Sequence, residues 1–420
     1  MSDRYDVIVF GATGYTGQRV CEYLQKRKHT APFRWAVAGR RKATLETLQG
    51  RFGADGHILA DATNQAQCDA MAKAGKVVIN LAGPYLRRGE PVAAACAKAG
   101  THYLDLTGEL LFQKRLIEAW DATAKETGAR IVPTAGYEAL PFDLLTHALI
   151  EDFTAAHGHA PTRIDVLSKS QFPKGARMGL SEMVSGGTSE TFRVAIEDDH
   201  TSLSTDPAAL NPEDDPDRAT VAAVNAYQMK PQDGDLEEAS LPIIPIPYCN
   251  PAIVHRGLAL VRMEGSNAVR PDLAYRERMS THGMGPMPVR RAMARGAAAA
   301  MTGLGKLITQ ASDKSRKRAK AVIDKIAPHP GDGPPLERLD LWRWQLIGRA
   351  TDGAGNETRR TLNAEGHPGY RSTANMIAEA ALILAAGENL PQRAGLLTPA
   401  TALGTGHFDR FAAAGLDFNG

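Results

Sequence analysis

The chain has 420 residues, length enough for two or three domains around a proper core. Its 49 lysines and arginines nearly balance 47 aspartates and glutamates, and the net charge of +2 gives no case for nucleic-acid binding. No apolar run is long enough to span a bilayer, and four scattered cysteines, Cys21, Cys68, Cys96 and Cys249, form no C-x-x-C, which argues against a disulfide framework or a metal site.

Residues 1–6 carry two acidic side chains and run into a strand, without the basic start and apolar stretch of a signal peptide, so a cytoplasmic protein is expected. Residues 6–10 (DVIVF) are the β-branched, apolar run of a strand buried on both faces. They lead into Gly11, Ala12, Thr13, Gly14, Tyr15, Thr16 and Gly17, and residues 18–26 then read as a helix. Strand, glycine turn and helix together bring backbone N–H groups and a positive helix end to one place, where a pyrophosphate can sit. Gly11 is expected to make the tight turn, Gly14 to let the backbone near the phosphates, and Gly17 to let helix and strand close up.

Residues 33–38 read as the second strand, ending at Arg40 and Arg41. An NAD site usually has a carboxylate there for the ribose hydroxyls, whereas a 2′-phosphate needs a cation, so NADP(H) is the expected cofactor. A helix over 43–52 and a strand over 57–60 follow, with Asp61 placed either near the adenine or as a plain turn residue. After a helix over 65–74, the strand 76–81 ends in Ala82, Gly83, Pro84 and Tyr85, which should face the nicotinamide ribose. A helix over 91–99, a strand within 101–109 ending at Glu109, a helix over 110–127 and a sixth strand over 130–134 lead to Tyr137. Six strands alternating with helices predict an α/β fold, a Rossmann-type doubly wound parallel sheet over residues 1–145.

The second half is expected to hold an α+β domain on a mixed sheet, residues 146–367, with 368–420 rejoining the first. Strands are predicted over 162–168 and 258–264, and over 342–352 as a hairpin through 353–356 with 357–363. A helix is predicted over 181–197, an acidic surface loop over 198–217 and an apolar helix over 370–387. Residues 241–251 hold too many prolines for a central strand. Residues 279–327 combine Met279, Met284, Met287, Met293 and Met301 with many lysines and arginines. Such a stretch suits an irregular apolar guest or, over 290–325, peripheral contact with an anionic membrane; a core helix beside a solvated basic one is the plainer alternative.

No tyrosine is followed by lysine four positions on, which removes the usual acid of the short-chain dehydrogenases. Cys249 has no adjacent histidine or lysine to activate it as a nucleophile. In order along the chain, GATGYTG, AGRR, NLAGPY, THYLDLTGE and AGYEALPFDL resemble the saccharopine dehydrogenase-like oxidoreductases, in the branch that includes the mycobacterial trans-acting enoyl reductases. Residues 185–188, 330–334, 367–374 and 397–400 extend the likeness, while 197–217 and 296–325 match poorly. The resemblance implies a nucleotide-binding domain, a mixed-sheet domain covering the cofactor, and NADP-dependent hydride transfer. Its substrates differ between members: a C=C bond of a polyketide-like lipid in one branch, an amino-acid imine in another.

The expected reaction passes a hydride to an electron-poor carbon of an apolar acyl or polyketide-like molecule while an acid protonates the neighbouring atom. Tyr85, Glu109 and Tyr137, at the ends of strands four, five and six, are the candidate catalytic residues. A non-catalytic NADP(H)-binding protein on a lipid surface is the alternative from another class, and a second copy of the chain is a candidate partner.

Overall fold

The computed structural model describes residues 4–171, 203, 205–226, 240–242, 249–282, 285–309 and 334–419. The first sheet contains β1 (Tyr5–Phe10), β2 (Trp35–Gly39), β3 (Gly56–Leu59), β4 (Gly75–Asn80), β5 (His102–Asp105) and β6 (Arg130–Val132). Its seventh strand, β12 (Gly395–Leu396), comes from the far end of the chain, and the order is β12-β6-β5-β4-β1-β2-β3, parallel throughout. The alternation of β1 explains why both faces must be covered. Val7 and Val9 point to one core with Val37, Val77 and Ile79, and Ile8 and Phe10 to the other with Ala36, Val78 and Tyr103.

Helices α1 (Tyr15–Lys28) and α2 (Lys42–Phe52) serve the first of these faces; α3 (Gln65–Ala74), α5 (Glu90–Ala99) and α6 (Leu110–Thr127) serve the second, and a single turn, α4 (Tyr85–Arg88), follows β4. The helix expected over 370–387 is α12 (Thr373–Ala386), entered through a π-turn at Pro368–Ser372. It packs on α1, β1 and β4, and buries Met376, Ile377 and Ile383 completely. Each such side chain contributes about 1.5–3 kcal/mol by leaving water. Glu379 of α12 is wholly buried and accepts from Tyr23 Oη at 2.6 Å, Arg27 Nε at 2.9 Å and Arg410 Nε at 2.8 Å. That network ties α12 to α1 and to α14 (Phe408–Ala413).

The second sheet runs β13-β11-β10-β7-β9-β8, made of β7 (Arg163–Gln171), β8 (Ser240–Pro242), β9 (Ala274–Ser280), β10 (Arg343–Thr351), β11 (Glu357–Glu365) and β13 (Leu416–Asp417). Only β7 and β9 pair in parallel, so the sheet is mixed. The hairpin between β10 and β11 is fastened by Asp352, whose carboxylate accepts from the N–H groups of Ala354 and Asn356 and from the Asn356 amide. Gly355 supplies the left-handed backbone there, at φ 92°. Ile164, Val166, Leu346 and Leu362 face α7 (Leu140–His157). Gly348 admits α7 closely, since a Cβ on it would lie 2.5 Å from Leu149 Cδ1. The opposite face is polar, with Arg163 and Arg349 both on Asp165.

The strand expected over 258–264 is instead the end of a helix, α9 (Asn250–Met263). Pro251 opens that helix, where the missing N–H costs nothing, and Val254, Leu258 and Val261 follow a helical rather than an alternating spacing. Met279 lies on β9, and α10 (Met287–Thr309) carries Met287, Met293 and Met301, while Met284 lies outside the described residues; further helices are α8 (Arg218–Val224), α11 (Leu336–Leu339) and α13 (Pro399–Leu403). The helix expected over 181–197 and the basic residues 310–325 lie outside the described residues. No helix among the described residues is long and apolar enough to cross a membrane.

Candidate active site

The glycine turn is built as tightly as its chemistry requires. Gly11 sits at φ 84°, and a Cβ on it would lie 2.9 Å from the carbonyl carbon of Leu81. A Cβ on Gly17 would come within 2.4 Å of the Gly11 carbonyl oxygen, so only glycine lets α1 approach β1 here. Gly14 is the N-cap of α1 and offers no side chain to the first turn, and no acidic residue occupies that turn. The N–H groups of 15–17 are therefore left for an anion, with the positive end of the helix behind them. Tyr15 faces away from the turn: its hydroxyl donates to the Pro334 carbonyl and its ring meets Tyr370 edge-on at 5.2 Å.

Arg40 and Arg41 are exposed at the end of β2, and no carboxylate stands between them and α2. Asp61 accepts from Thr63 N at 2.9 Å and Thr63 Oγ1 at 2.8 Å. Those two bonds, with Arg40 and Arg88 more weakly, hold its carboxyl below the usual range. A glycine cradle, an uncapped helix end and two exposed guanidiniums fit a dinucleotide with a 2′-phosphate.

At the ends of β4 and β5 the polar groups mostly satisfy one another. The Tyr103 hydroxyl donates to Asp105 Oδ2 at 2.7 Å and accepts from Asn80 Nδ2 at 3.1 Å. Asp105 is wholly buried, and burial pushes its carboxyl up to about 7 despite N–H donation from Thr107 and Thr134. Tyr85 donates to the Asn80 carbonyl at 3.1 Å and accepts from Leu106 N at 3.3 Å. Glu109 accepts from Tyr85 N at 3.0 Å and Leu86 N at 2.6 Å, so its carboxylate caps α4 and fixes the loop of Ala82, Gly83 and Pro84.

The turn after β6 holds a left-handed residue, Thr134, at φ 57°. Such a conformation costs a β-branched residue about 1–3 kcal/mol, which bonds to Asp105, Thr107 and Gln113 offset. The turn carries Tyr137 towards the second sheet. Its hydroxyl shares a hydrogen bond with Ser168 Oγ at 2.9 Å, and its ring packs edge-on against Trp344 at 4.9 Å and Phe142 at 5.8 Å. Burial pushes the Tyr137 hydroxyl up to about 12, so it stays protonated at neutral pH.

Glu138, the next residue, is open to solvent, yet enough protein surrounds it that burial alone pushes its carboxyl up to about 7. Nearby, Asn250 Nδ2 donates to Glu277 Oε2 at 3.0 Å, and Glu277 also accepts from the Tyr275 hydroxyl. Cys249 is buried, and its thiol is pushed well above its ordinary value by burial and then by Glu138 and Glu277, the opposite of an activated nucleophile.

Sequence reasoning missed Ser168, Trp344, Glu277 and Glu138. Ser168 had a faint signal: it shares the inward face of β7 with Ile164 and Val166, so a hydroxyl stands where the alternation calls for an apolar residue.

Residues 7–132 match the family described as saccharopine dehydrogenase NADP binding domain. Over its whole length the chain is similar to the trans-acting enoyl reductase of Mycobacterium tuberculosis, 32% identical over 98% of this chain and 96% of that one. It is 30% identical to the trans-acting enoyl reductase of Mycobacterium ulcerans, with the same coverage. Among solved structures, apo saccharopine dehydrogenase (L-Glu forming) from Saccharomyces cerevisiae covers 96% of this chain and 95% of its own at a TM-score of 0.49 and 14% identity, a likeness too loose to speak for chemistry.

Proposed function

Because the chain belongs to the saccharopine dehydrogenase-like family, in its trans-acting enoyl reductase branch, and is an NADP-dependent oxidoreductase, we propose that it reduces the C=C bond of an α,β-unsaturated acyl chain. The observation that carries this reading is the relation to enoyl reductases over 98% of the chain, which takes in both halves of the site. Residues 1–145 and 368–420 hold the cofactor in this reading, and 146–367 cover it and receive the acyl chain.

NADPH, when bound, supplies a hydrogen with its electron pair to the β-carbon. The chain's own residues do the rest. Gly11, Ala12, Thr13, Gly14, Tyr15, Thr16 and Gly17 take the pyrophosphate through backbone N–H groups, Arg40 and Arg41 the 2′-phosphate, and Asp61 borders the adenosine end. Glu109 and Tyr85 hold Ala82, Gly83 and Pro84 in place under the nicotinamide ribose. Tyr137 donates its hydroxyl proton in a hydrogen bond to the acyl carbonyl, drawing charge from the double bond, with Ser168 as the partner that orients it. Glu277 of β9, close enough to Tyr137 for its charge to be felt there, disfavours a substrate with several carboxylates, which speaks against the amino-acid imine reading.

The basic, methionine-bearing residues 290–325 would bring the enzyme to an anionic membrane from the cytoplasm, and a second copy of the chain is a further candidate contact. Purified protein with NADPH and the N-acetylcysteamine thioester of an α,β-unsaturated fatty acid should lose NADPH absorbance and yield the saturated thioester. NADPH consumption with an α-keto acid and an amine, and none with the thioester, would sink the enoyl reading.

A further inference from the structure

Of the acidic groups around the site, Glu138 alone has its carboxyl unengaged. Among the described residues no group hydrogen-bonds or ion-pairs with it, whereas Glu109 caps α4, Asp105 holds two N–H groups and a tyrosine, and Glu277 holds Asn250 and Tyr275. Its position is as telling as its freedom. It directly follows Tyr137, which bridges the end of the first sheet to Ser168 of the second, and its own side chain is open to solvent. The described groups near enough to feel its charge are Tyr85 of α4, Tyr137, and Cys249 at the start of α9, with Glu277 of β9 and Asp105 of β5 also acting on the thiol. None of these is a cation, and the first N–H groups of α7 beside it turn to the Gly136 carbonyl, so no described side chain stabilises its ionised form.

We propose that Glu138 is the acid that delivers a proton to the α-carbon of the substrate. This rests on the enoyl reading above. The balance is simple: the β-carbon gains a hydrogen with two electrons as NADPH becomes NADP⁺, and the C=C π pair moves to the α-carbon and oxygen. The O–H bond of Glu138 then breaks as a C–H bond forms at the α-carbon. The carboxylate left behind regains its proton from solvent, which its open side chain can reach. A carboxyl titrating at about 7 holds that proton at working pH and gives it up without a large penalty.

The test compares wild type with Glu138→Gln and Glu138→Asp. Glu138→Gln keeps NADPH affinity within about two-fold by fluorescence titration, since the carboxyl has no part in the cradle, and lowers kcat on the unsaturated thioester by about 100-fold or more. Wild-type kcat falls as pH rises through about 7, Glu138→Gln lacks that limb, and Glu138→Asp recovers part of the rate. In D₂O the wild type places deuterium on one face of the α-carbon and Glu138→Gln places it on both.

A readout without turnover is stability. A carboxyl whose folded pKa lies above its unfolded one costs nothing below the ordinary glutamate range, and costs stability progressively as pH rises to about 7. Measured by urea unfolding, Glu138→Gln therefore gains on wild type between about pH 5 and about pH 8, while the similar contributions of buried Asp105 and Asp143 cancel.

A Glu138→Gln variant with wild-type kcat and pH profile, or a stability difference flat with pH, overturns the proposal. A wild type that binds NADPH and leaves the thioester untouched overturns the enoyl reading and the proton acceptor named here. The two failures are told apart by whether the wild type is active.

Discussion

Glu109 follows β5 and Glu138 follows β6, adjacent strands of one sheet, and both stand at the carboxyl edge where a parallel sheet binds its ligand. Glu109 is buried and spends both oxygens on the N–H groups that open α4. Glu138 is open and spends neither. The same residue type at equivalent places thus becomes a structural cap in one case and an available acid in the other. The difference lies in what the surrounding backbone supplies: α4 gives two N–H groups to Glu109, whereas the N–H groups of Ala139 and Leu140, where α7 starts beside Glu138, turn to the Gly136 carbonyl and no cation among the described residues pairs with that carboxyl.

A third carboxylate sharpens that contrast most. Glu379 is more buried than either and is paired with two arginines and a tyrosine, so Glu379→Ala should cost about 3–5 kcal/mol in urea unfolding by stranding Arg27 and Arg410. Glu109→Ala comes next, at about 1–2 kcal/mol for a lost cap, with a weaker hold on NADPH and no change in the pH limb assigned to Glu138. If Glu109→Ala erases that limb, the division between the two glutamates fails. Replacing Arg40 and Arg41 by alanine, far from both, should weaken NADPH binding about 10-fold, about 1.4 kcal/mol, and leave NADH binding alone. Smallest is Tyr137→Phe, which removes the bond to Ser168 and should cost about 1 kcal/mol of stability, with a further loss of kcat if the hydroxyl polarises the acyl carbonyl.

The glycine turn and the strands of the first sheet are legible because their signals are local: β1 is a run of adjacent apolar residues, and the contacts that exclude a Cβ at Gly17 come from residues 11 and 12. α9 is not, because Pro251 breaks a strand and starts a helix with equal force, and only burial of Val254 and Leu258 on one side decides between them. β8 and β13 are too short to carry a pattern and exist as edges to strands already formed. The roles of Glu109 and Glu138 lie beyond any local reading, since each is defined by partners that tertiary structure brings or withholds. The Tyr137–Ser168 pair, which joins the turn after β6 to a strand of the other sheet, is beyond it for the same reason.

The last stretch of the chain finishes both sheets, β12 beside β6 and β13 beside β11, while the Arg130 guanidinium at the start of β6 bonds the carbonyls of Ala402 and Pro391, 272 and 261 residues ahead. During synthesis, therefore, a nascent protein translated through β11 still has the β6 and β11 edges bare, open to neighbours and to chaperones until residues 395–417 leave the ribosome.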